Sequence, residues 1–280
     1  MKNIVFNITK KLKDKKNKTV FIRQYSIMEK KRRCAVFTIV KNEYYFLPIW
    51  LKYYKKYFAD QDIYILDHQS DDGSTDNLTV NHIPVVNEIA FDHNWLVETI
   101  ENFQVSLLEK YESVIFAESD ELLYSPDMPL NALIELFLID PTKKHITCLG
   151  YEIIQNLEKE APLEIGDEIF KHRDYWFKYP DYDKTLISKV PLKWVWGFHY
   201  AKNIDKDYSY NLHLMHLHRC DFELMLKRHE ERANKWKLKG DGGGAQHAIG
   251  DREGVLKYFN KQLGDIKLIP ERHKKIFDGI

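Results

Sequence analysis

Several things are scarce in this chain, and each shortage excludes something. Cysteine occurs three times in 280 residues, as Cys34, Cys148 and Cys220. They lie far apart and without ligand-like spacing, which argues against a disulfide framework and a thiolate zinc site, and for a reducing compartment. No apolar run approaches the ~20 residues that span a bilayer. The first residues, MKNIVFNITKKLKDKK, lack the apolar stretch of a signal peptide. The expectation is a soluble, cytoplasmic protein. Net charge is missing as well: 42 basic residues stand against 42 acidic ones, so the whole chain is not a polycationic nucleic-acid binder and no nucleic-acid partner is expected. Internal repeats and low-complexity linkers are also missing, which favours one domain over residues 33–280.

What is present is a large potential core. Hydrophobic residues make up 44% of the chain and aromatics 14%, so disorder as the general state is excluded. The zero net charge conceals an asymmetry. Residues 1–33 hold twelve Lys/Arg and two acidic residues, Asp14 and Glu29, a balance of +10 that leaves −10 for the remainder. Residues 1–32 therefore read as a basic tail or weakly docked helix. Such a segment suits an anionic membrane surface, where each basic residue adds about 1 kcal/mol, and a peripheral membrane location is the corresponding expectation.

Beyond it, hydrophobic periodicity marks alternating elements. CAVFTIV at 34–40 reads as a buried strand, and Leu47, Trp50, Leu51, Tyr54 and Phe58 fall at helical spacing. IYIL at 63–66 predicts a second strand, ending in the turn-rich, acidic DHQSDDGSTD at 67–76, in which Asp72 suits a turn and Asp76 a helix cap. A third strand is expected at 83–86. Leu96, Ile100, Phe103, Leu107 and Tyr111 share a helical face, and SVIFA at 113–117 reads as a fourth strand. Strand alternating with helix predicts an α/β fold with a mainly parallel sheet flanked by helices. In such sheets ligands bind outside the carboxyl ends of the strands. Three strand ends are polar here: Lys41-Asn42-Glu43, the segment from Asp67 to Asp76, and Glu118 to Glu121.

Glu118 and Asp120 alternate in an extended segment, so both carboxylates share a face. That pair is costly unless a cation joins it, and an oxygen donor set suits Mg²⁺ or Mn²⁺ completed by substrate phosphates and water. Asp67, directly at a strand end, is placed to accept hydrogen bonds from a base or ribose.

Taken together, VFTIVKNE at 36–43, ILDHQSDDGSTD at 65–76 and VIFAESDE at 114–121 resemble, in order and spacing, the family 2-like glycosyltransferases of GT-A (Rossmann-like) fold. The resemblance covers residues 33–125, which then form a nucleotide-binding half, with residues 126–280 as a less regular acceptor and lid half covering the site. It implies a nucleotide-diphosphate-sugar donor, UDP-sugar favoured, a divalent cation on a D-x-D motif, and transfer with inversion to a hydroxyl of a glycan or other acceptor. It also places Ile39, Lys41, Asn42 and Glu43 near the nucleoside and Asp67 on the base. Asp120 occupies the second D and becomes the direct metal ligand, while Glu118, one methylene longer than the usual first D, reaches the ribose or a metal-bound water.

The C-terminal half is rich in histidine. LHLMHLHRCD at 212–221 puts His216 and His218 on one face of a strand, with His213 structural. The same resemblance implies that one histidine returns to the donor metal: His216, with His218 as the alternative. Arg219 could reach phosphate. Asp221 should cap a helix whose buried face is Phe222, Met225, Leu226, His229 and Trp236, with Lys227, Arg228, Glu230, Glu231 and Arg232 towards water. Aromatic segments at 150–156, 175–184 and 194–199 can stack on sugar rings. Lys184 resembles a lysine that balances diphosphate charge. Glu152, Asp181, Asp183 and His199 are the candidates for a general base, and the residues alone do not choose among them. Asp241 to His247 is the most flexible-looking segment. Strand-end carboxylates and histidines would also serve a metal-dependent phosphodiesterase or nuclease, and Glu118 in place of Asp would suit a non-catalytic nucleotide-sugar-binding module.

Overall fold

The computed structural model describes residues 5–13, 19–27, 30–89, 92–235, 249–261 and 265–280. Two compact units divide at Met1–Arg32 and Arg33–Ile280. The first contains β1 (Val5–Lys13) and β2 (Thr19–Ile27), antiparallel with Val5 opposite Ile27 and Lys13 opposite Thr19. The expected tail or helix is thus a hairpin. Its segments carry β-branched and aromatic residues, Val5, Ile8, Thr9, Val20, Phe21, Ile22 and Tyr25 among them, which favour extended backbone.

The second unit begins as expected: β3 (Arg32–Val40), α1 (Phe46–Tyr54), β4 (Ile63–Asp67), β5 (Asn81–Pro84), α2 (His93–Lys110) and β6 (Tyr111–Phe116). It continues with β7 (Glu121–Tyr124), α3 (Leu130–Ile139), β8 (His145–Thr147), β9 (Leu149–Ile154), α4 (Ile169–His172), β10 (Tyr175–Lys178), β11 (Thr185–Ser188) and β12 (His213–Arg219). The last elements are α5 (Phe222–Lys235), α6 (Arg252–Phe259), β13 (Lys267–Leu268) and α7 (Glu271–Lys274).

Among the described residues these strands form a six-stranded sheet, β5-β4-β3-β6-β11-β8, and a five-stranded sheet, β13-β10-β9-β12-β7. Both are mixed, which corrects the expected mainly parallel sheet. β3, β4 and β5 run parallel, but β11 is antiparallel to both β6 and β8. A parallel return needs a crossover of about a dozen residues, and the link from β6 to β7, residues 117–120, is far shorter. The chain therefore leaves the first sheet there and starts the second.

α1 buries Phe46, Leu47, Trp50, Tyr53 and Tyr54, each worth roughly 1.5–3 kcal/mol of transfer from water. Its Tyr53 hydroxyl donates to the Leu123 carbonyl at 2.7 Å and its Tyr54 hydroxyl to that of Glu121 at 3.2 Å. Thus α1 ties the acidic strand end to the helix layer. Asp92, not Asp76, is a helix cap: it accepts from Asn94 N and Trp95 N at the start of α2. The segment around Asp76 spends its polar groups on its own turns, with Asp76 N bonded to the Gly73 carbonyl. The third strand sits two residues earlier than expected and ends at Pro84.

The three cysteines are free and buried. No helix among the described residues is long and apolar enough to cross a membrane. Trp236 and the segment 241–247 lie outside the described residues.

Gly150 in β9 is a close-packed position. Its N–H donates to Asp183 Oδ1 at 2.8 Å, and a Cβ there would collide with the Tyr182 Cβ and backbone. Gly150→Ala is expected to cost about 1–3 kcal/mol, read as a lower urea midpoint at unchanged slope. A wild-type midpoint would show that the contact yields freely.

Candidate functional site

The ends of β3 and β6 and the middle of β12 converge on one cavity of about 290 Å³, at the lower end of ligand clefts. Ile39, Lys41 and Glu43 enter it from the end of β3, Glu118 and Asp120 from the β6–β7 link, and His216 and His218 from β12. Lys184 and His199 complete the group of expected residues that line it. Strand register explains the histidine. His216 pairs with Glu121 on β7 and with Glu152 on β9, so a strand that is antiparallel to one neighbour and parallel to the other sets one imidazole between carboxylates from both sides.

The His216 Nδ1 donates to Glu152 Oε2 at 2.8 Å, and its Nε2 lies 3.8 Å from Asp120 Oδ1. Burial alone would lower the His216 pKa, but Glu152 and Asp120 outweigh it and raise the group to about 9. His218 Nδ1 lies 3.8 Å from Asp120 Oδ2. Its burial prevails and holds it well below an ordinary histidine. Asp120 is buried too, yet Arg228, His216 and His218 outweigh that burial and keep its carboxyl well below the usual range.

Two further cations complete the charge pattern. Lys184 Nζ sits 2.7 Å from Glu118 Oε2 and 2.6 Å from Glu121 Oε1. Burial would neutralise it, but the two glutamates hold it ionised well above the ordinary lysine value. Arg228 Nη2 reaches Glu43 Oε1 at 2.8 Å and Nη1 reaches Asp120 Oδ2 at 2.9 Å. One guanidinium thus joins the acids of two strand ends.

The structure departs from the sequence expectation at five residues, none of which lines the cavity. Asp67 is turned into its own loop: Oδ1 accepts from Ser70 N at 2.8 Å, and Oδ2 from the Thr75 hydroxyl at 2.9 Å, with His82 Nε2 also 2.9 Å away. These bonds overcome burial and lower its pKa. They occupy the lone pairs expected for a base. Asn42 is likewise spent on a loop pairing, giving Nδ2 to Asp71 Oδ1 and accepting from Asp71 N. Among the base candidates, Asp183 accepts from Gly150 N and the Tyr208 hydroxyl. Glu152 lies wholly buried beneath His216 and accepts from Arg219 N. Asp181 presents its main-chain carbonyl, not its side chain, to His199.

That leaves His199 as the base candidate inside the cavity. Its Nδ1 donates to the Asp181 carbonyl at 2.7 Å, so Nε2 carries the lone pair of the neutral ring. Burial first, then Lys184, push its pKa below the ordinary value. The loop that carries it turns at Gly197, with φ of 72°, and a Cβ there would meet His199 Nε2 at 2.6 Å.

Several cavity residues were not apparent from the sequence. Arg228 and Arg232 line the cavity and are only partly exposed; burial and the neighbouring Arg228 push Arg232 down to about 10. Their i, i+4 spacing beside the apolar face of α5 was the available signal. Trp95 and Trp196 form an aromatic wall with His68 and His93, at ring distances of 4.6 Å for His68–Trp95 and 5.4 Å for His93–Trp196. Arg219 is not among the residues that line this cavity. It is buried among Phe177, Tyr179 and Tyr258, whose rings lie 5.4–6.0 Å from its guanidinium.

A divalent cation fits the donor set in a limited way. Glu152 holds the Nδ1 side of His216 and leaves Nε2 facing Asp120, the arrangement in which a carboxylate orients a ligating histidine. Among the described residues, however, no group of three or more His, Cys, Asp and Glu side chains is poised to hold an ion by itself. An ion on Asp120 and His216 would need oxygens from a bound phosphate, as Mg²⁺ commonly does.

No family model matches the chain, and no curated protein matches it. Among solved structures it is similar to a cytidylyltransferase from Leptospira borgpetersenii serovar Hardjo-bovis (strain JB197), at 10% identity over 47% of this chain and with a TM-score of 0.28. The similarity spans 57% of that enzyme's chain.

Proposed function

We propose that the protein is a glycosyltransferase that moves a sugar, with inversion, from a nucleotide-diphosphate-sugar to a hydroxyl of a glycan or other acceptor. The observation that supports this reading is the meeting of Glu43, Glu118, Asp120 and His216 in one cavity at the carboxyl ends of β3 and β6, where open α/β sheets bind ligands. Ile39 and Lys41 border the nucleoside, and Trp196 and Tyr182 offer ring faces for the sugar. Asp120 and His216 would hold Mn²⁺ or Mg²⁺. Such an ion, when bound, neutralises charge on a departing diphosphate.

The chain's own part is proton transfer and positioning. His199 Nε2 accepts the proton of the acceptor hydroxyl as that oxygen bonds to the anomeric carbon, while the bond from that carbon to the phosphate oxygen breaks and the electron pair leaves with the diphosphate. Lys184 keeps Glu118 fixed at the cavity wall. Glu152 orients His216.

The assay is incubation of the full chain with Mn²⁺, a panel of UDP- and GDP-sugars and glycan acceptors. Transfer or donor hydrolysis is the expected result. Stoichiometric nucleotide binding without turnover, or cleavage of a phosphodiester, would overturn it. His199 adds a pH signature. Because the folded protein lowers its pKa, the ring is neutral at pH 7 and protonates only below 6.5, so the rate should fall on the acid side with an apparent pKa under 6.5. His199→Ala should lose about 100-fold in kcat together with that acid limb. An unchanged limb in the variant would assign the base elsewhere.

A further inference from the structure

α5 sends two arginines one helical turn apart, Arg228 and Arg232, to the same cavity. Like charges at i and i+4 on a helix repel, and their shared approach to one cavity suits an anion. Arg228 is the better defined. Its guanidinium lies over the Phe46 ring, 4.7 Å from the centroid, and forks to Glu43 and Asp120 at 2.8 and 2.9 Å. It therefore stands between the end of β3, where Ile39 and Lys41 border the cavity, and the pair Asp120 and His216. A nucleoside diphosphate with its base side at β3 would carry its phosphates across this place.

The ammonium groups that line the cavity are already committed: Lys41 donates to the His68 and Gln69 carbonyls at 3.1 and 3.2 Å. Lys184 has its ammonium against Glu118 and Glu121, at 2.7 and 2.6 Å. Guanidinium groups have the further advantage of a planar donor fork that matches two phosphate oxygens at once.

Building on the nucleotide-sugar function proposed for this cavity, we propose that Arg228 and Arg232 receive the diphosphate of the donor, and that they hold a nucleoside diphosphate there without a divalent cation. A phosphate oxygen exchanges with Asp120 on Nη1 of Arg228, while Nη2 stays on Glu43. The diphosphate thereby frees the Asp120 carboxylate. Arg228 and Arg232 then carry part of the charge that develops on the leaving group.

The test is calorimetric titration of the full chain with UDP, GDP, uridine and guanosine, in EDTA and in Mn²⁺. At least one nucleoside diphosphate should bind in EDTA. Arg232→Met should weaken that binding about tenfold or more, the loss of a charge-assisted phosphate contact, and Arg232→Lys should recover part of it. The response to the nucleosides should not change. Circular dichroism and thermal melting establish that the variants fold, with Arg232→Gln replacing Arg232→Met if the latter does not. Abolition of wild-type binding by EDTA, or wild-type affinity in the Arg232 variants, would overturn the proposal while leaving the nucleotide-sugar function standing. No binding of any of the four compounds, with or without Mn²⁺, would overturn that function itself.

Discussion

Asp120→Asn should reduce transfer by about 1,000-fold, the several kcal/mol that electrostatic stabilisation of a leaving group supplies, and should remove the dependence of donor binding on Mn²⁺. The substitution keeps the side chain's volume and still offers an oxygen to Arg228 Nη1. Arg228 also retains Glu43 at 2.8 Å. The fold should therefore persist, as circular dichroism and melting will show. Donor affinity that still rises with Mn²⁺ in the variant would refute Asp120 as the ligand. The same residue predicts a stability signature. Arg228, His216 and His218 hold its carboxyl well below 3.8 against the effect of burial. A group whose pKa is depressed on folding contributes stability that is present above its unfolded value and lost as pH falls through its folded value. The gap between wild type and Asp120→Asn should accordingly be full near neutral pH and narrow below about pH 4.

The second large effect falls on stability. In Lys184→Met, Glu121 stays wholly buried and faces Glu118 with no cation between them. Breaking a buried pair from one side costs about 3–5 kcal/mol, which for a domain of this size is a fall in Tm on the order of 10 °C. The pH dependence follows from the shift. Glu118 and Glu121 overcome burial and raise the Lys184 pKa above 10.5, so the pair's contribution is fully present below the ordinary lysine value and is lost only as pH rises through the raised one. Burial raises the Glu121 pKa, so the variant should regain ground in acid, where a protonated Glu121 carries no charge against Glu118. Adding Glu121→Gln to Lys184→Met should restore part of the loss, and a double-mutant cycle measures the coupling. A Tm within about 2 °C of wild type, less than 1 kcal/mol, would mean that water or another cation reaches Glu121.

The first half of the larger unit is legible in the sequence because its signals are local. CAVFTIV and SVIFA are apolar and bounded by polar ends, and the α1 and α2 faces follow a helical period. Their order alone brings Glu43, Glu118 and Asp120 together. The second half is not legible in this way. β11 inserts beside β6 through hydrogen bonds to a strand about 70 residues away in sequence, and periodicity carries no information on such pairing. Asp67 illustrates the limit at a single residue. Its position at a strand end suits a ligand, but Ser70, Thr75 and His82 use its oxygens, and the direction of those donors is set by the folded loop and not by local sequence. Arg228 failed in the opposite direction. A charged residue on an amphipathic helix ordinarily faces solvent, and the acids that draw it inward, Glu43 and Asp120, lie more than 100 positions upstream.

The double register of β12 limits how this site can change over time. Because His216 lies opposite Glu121 on one side and Glu152 on the other, inserting or deleting one residue in β12 would bring Met215 or Leu217 to that place and send the imidazole to the far face of the sheet. The pairing of β12 with β9 already shifts register between His216 and Arg219, so a length change there can be taken up by a bulge, whereas between His213 and His216 the pairing is regular on both sides. Lineages of this chain can vary the site by exchanging side chains and can lengthen the loops around it, but between His213 and His216, where both neighbours pair in regular register, a change of length by a single codon moves the imidazole off the site.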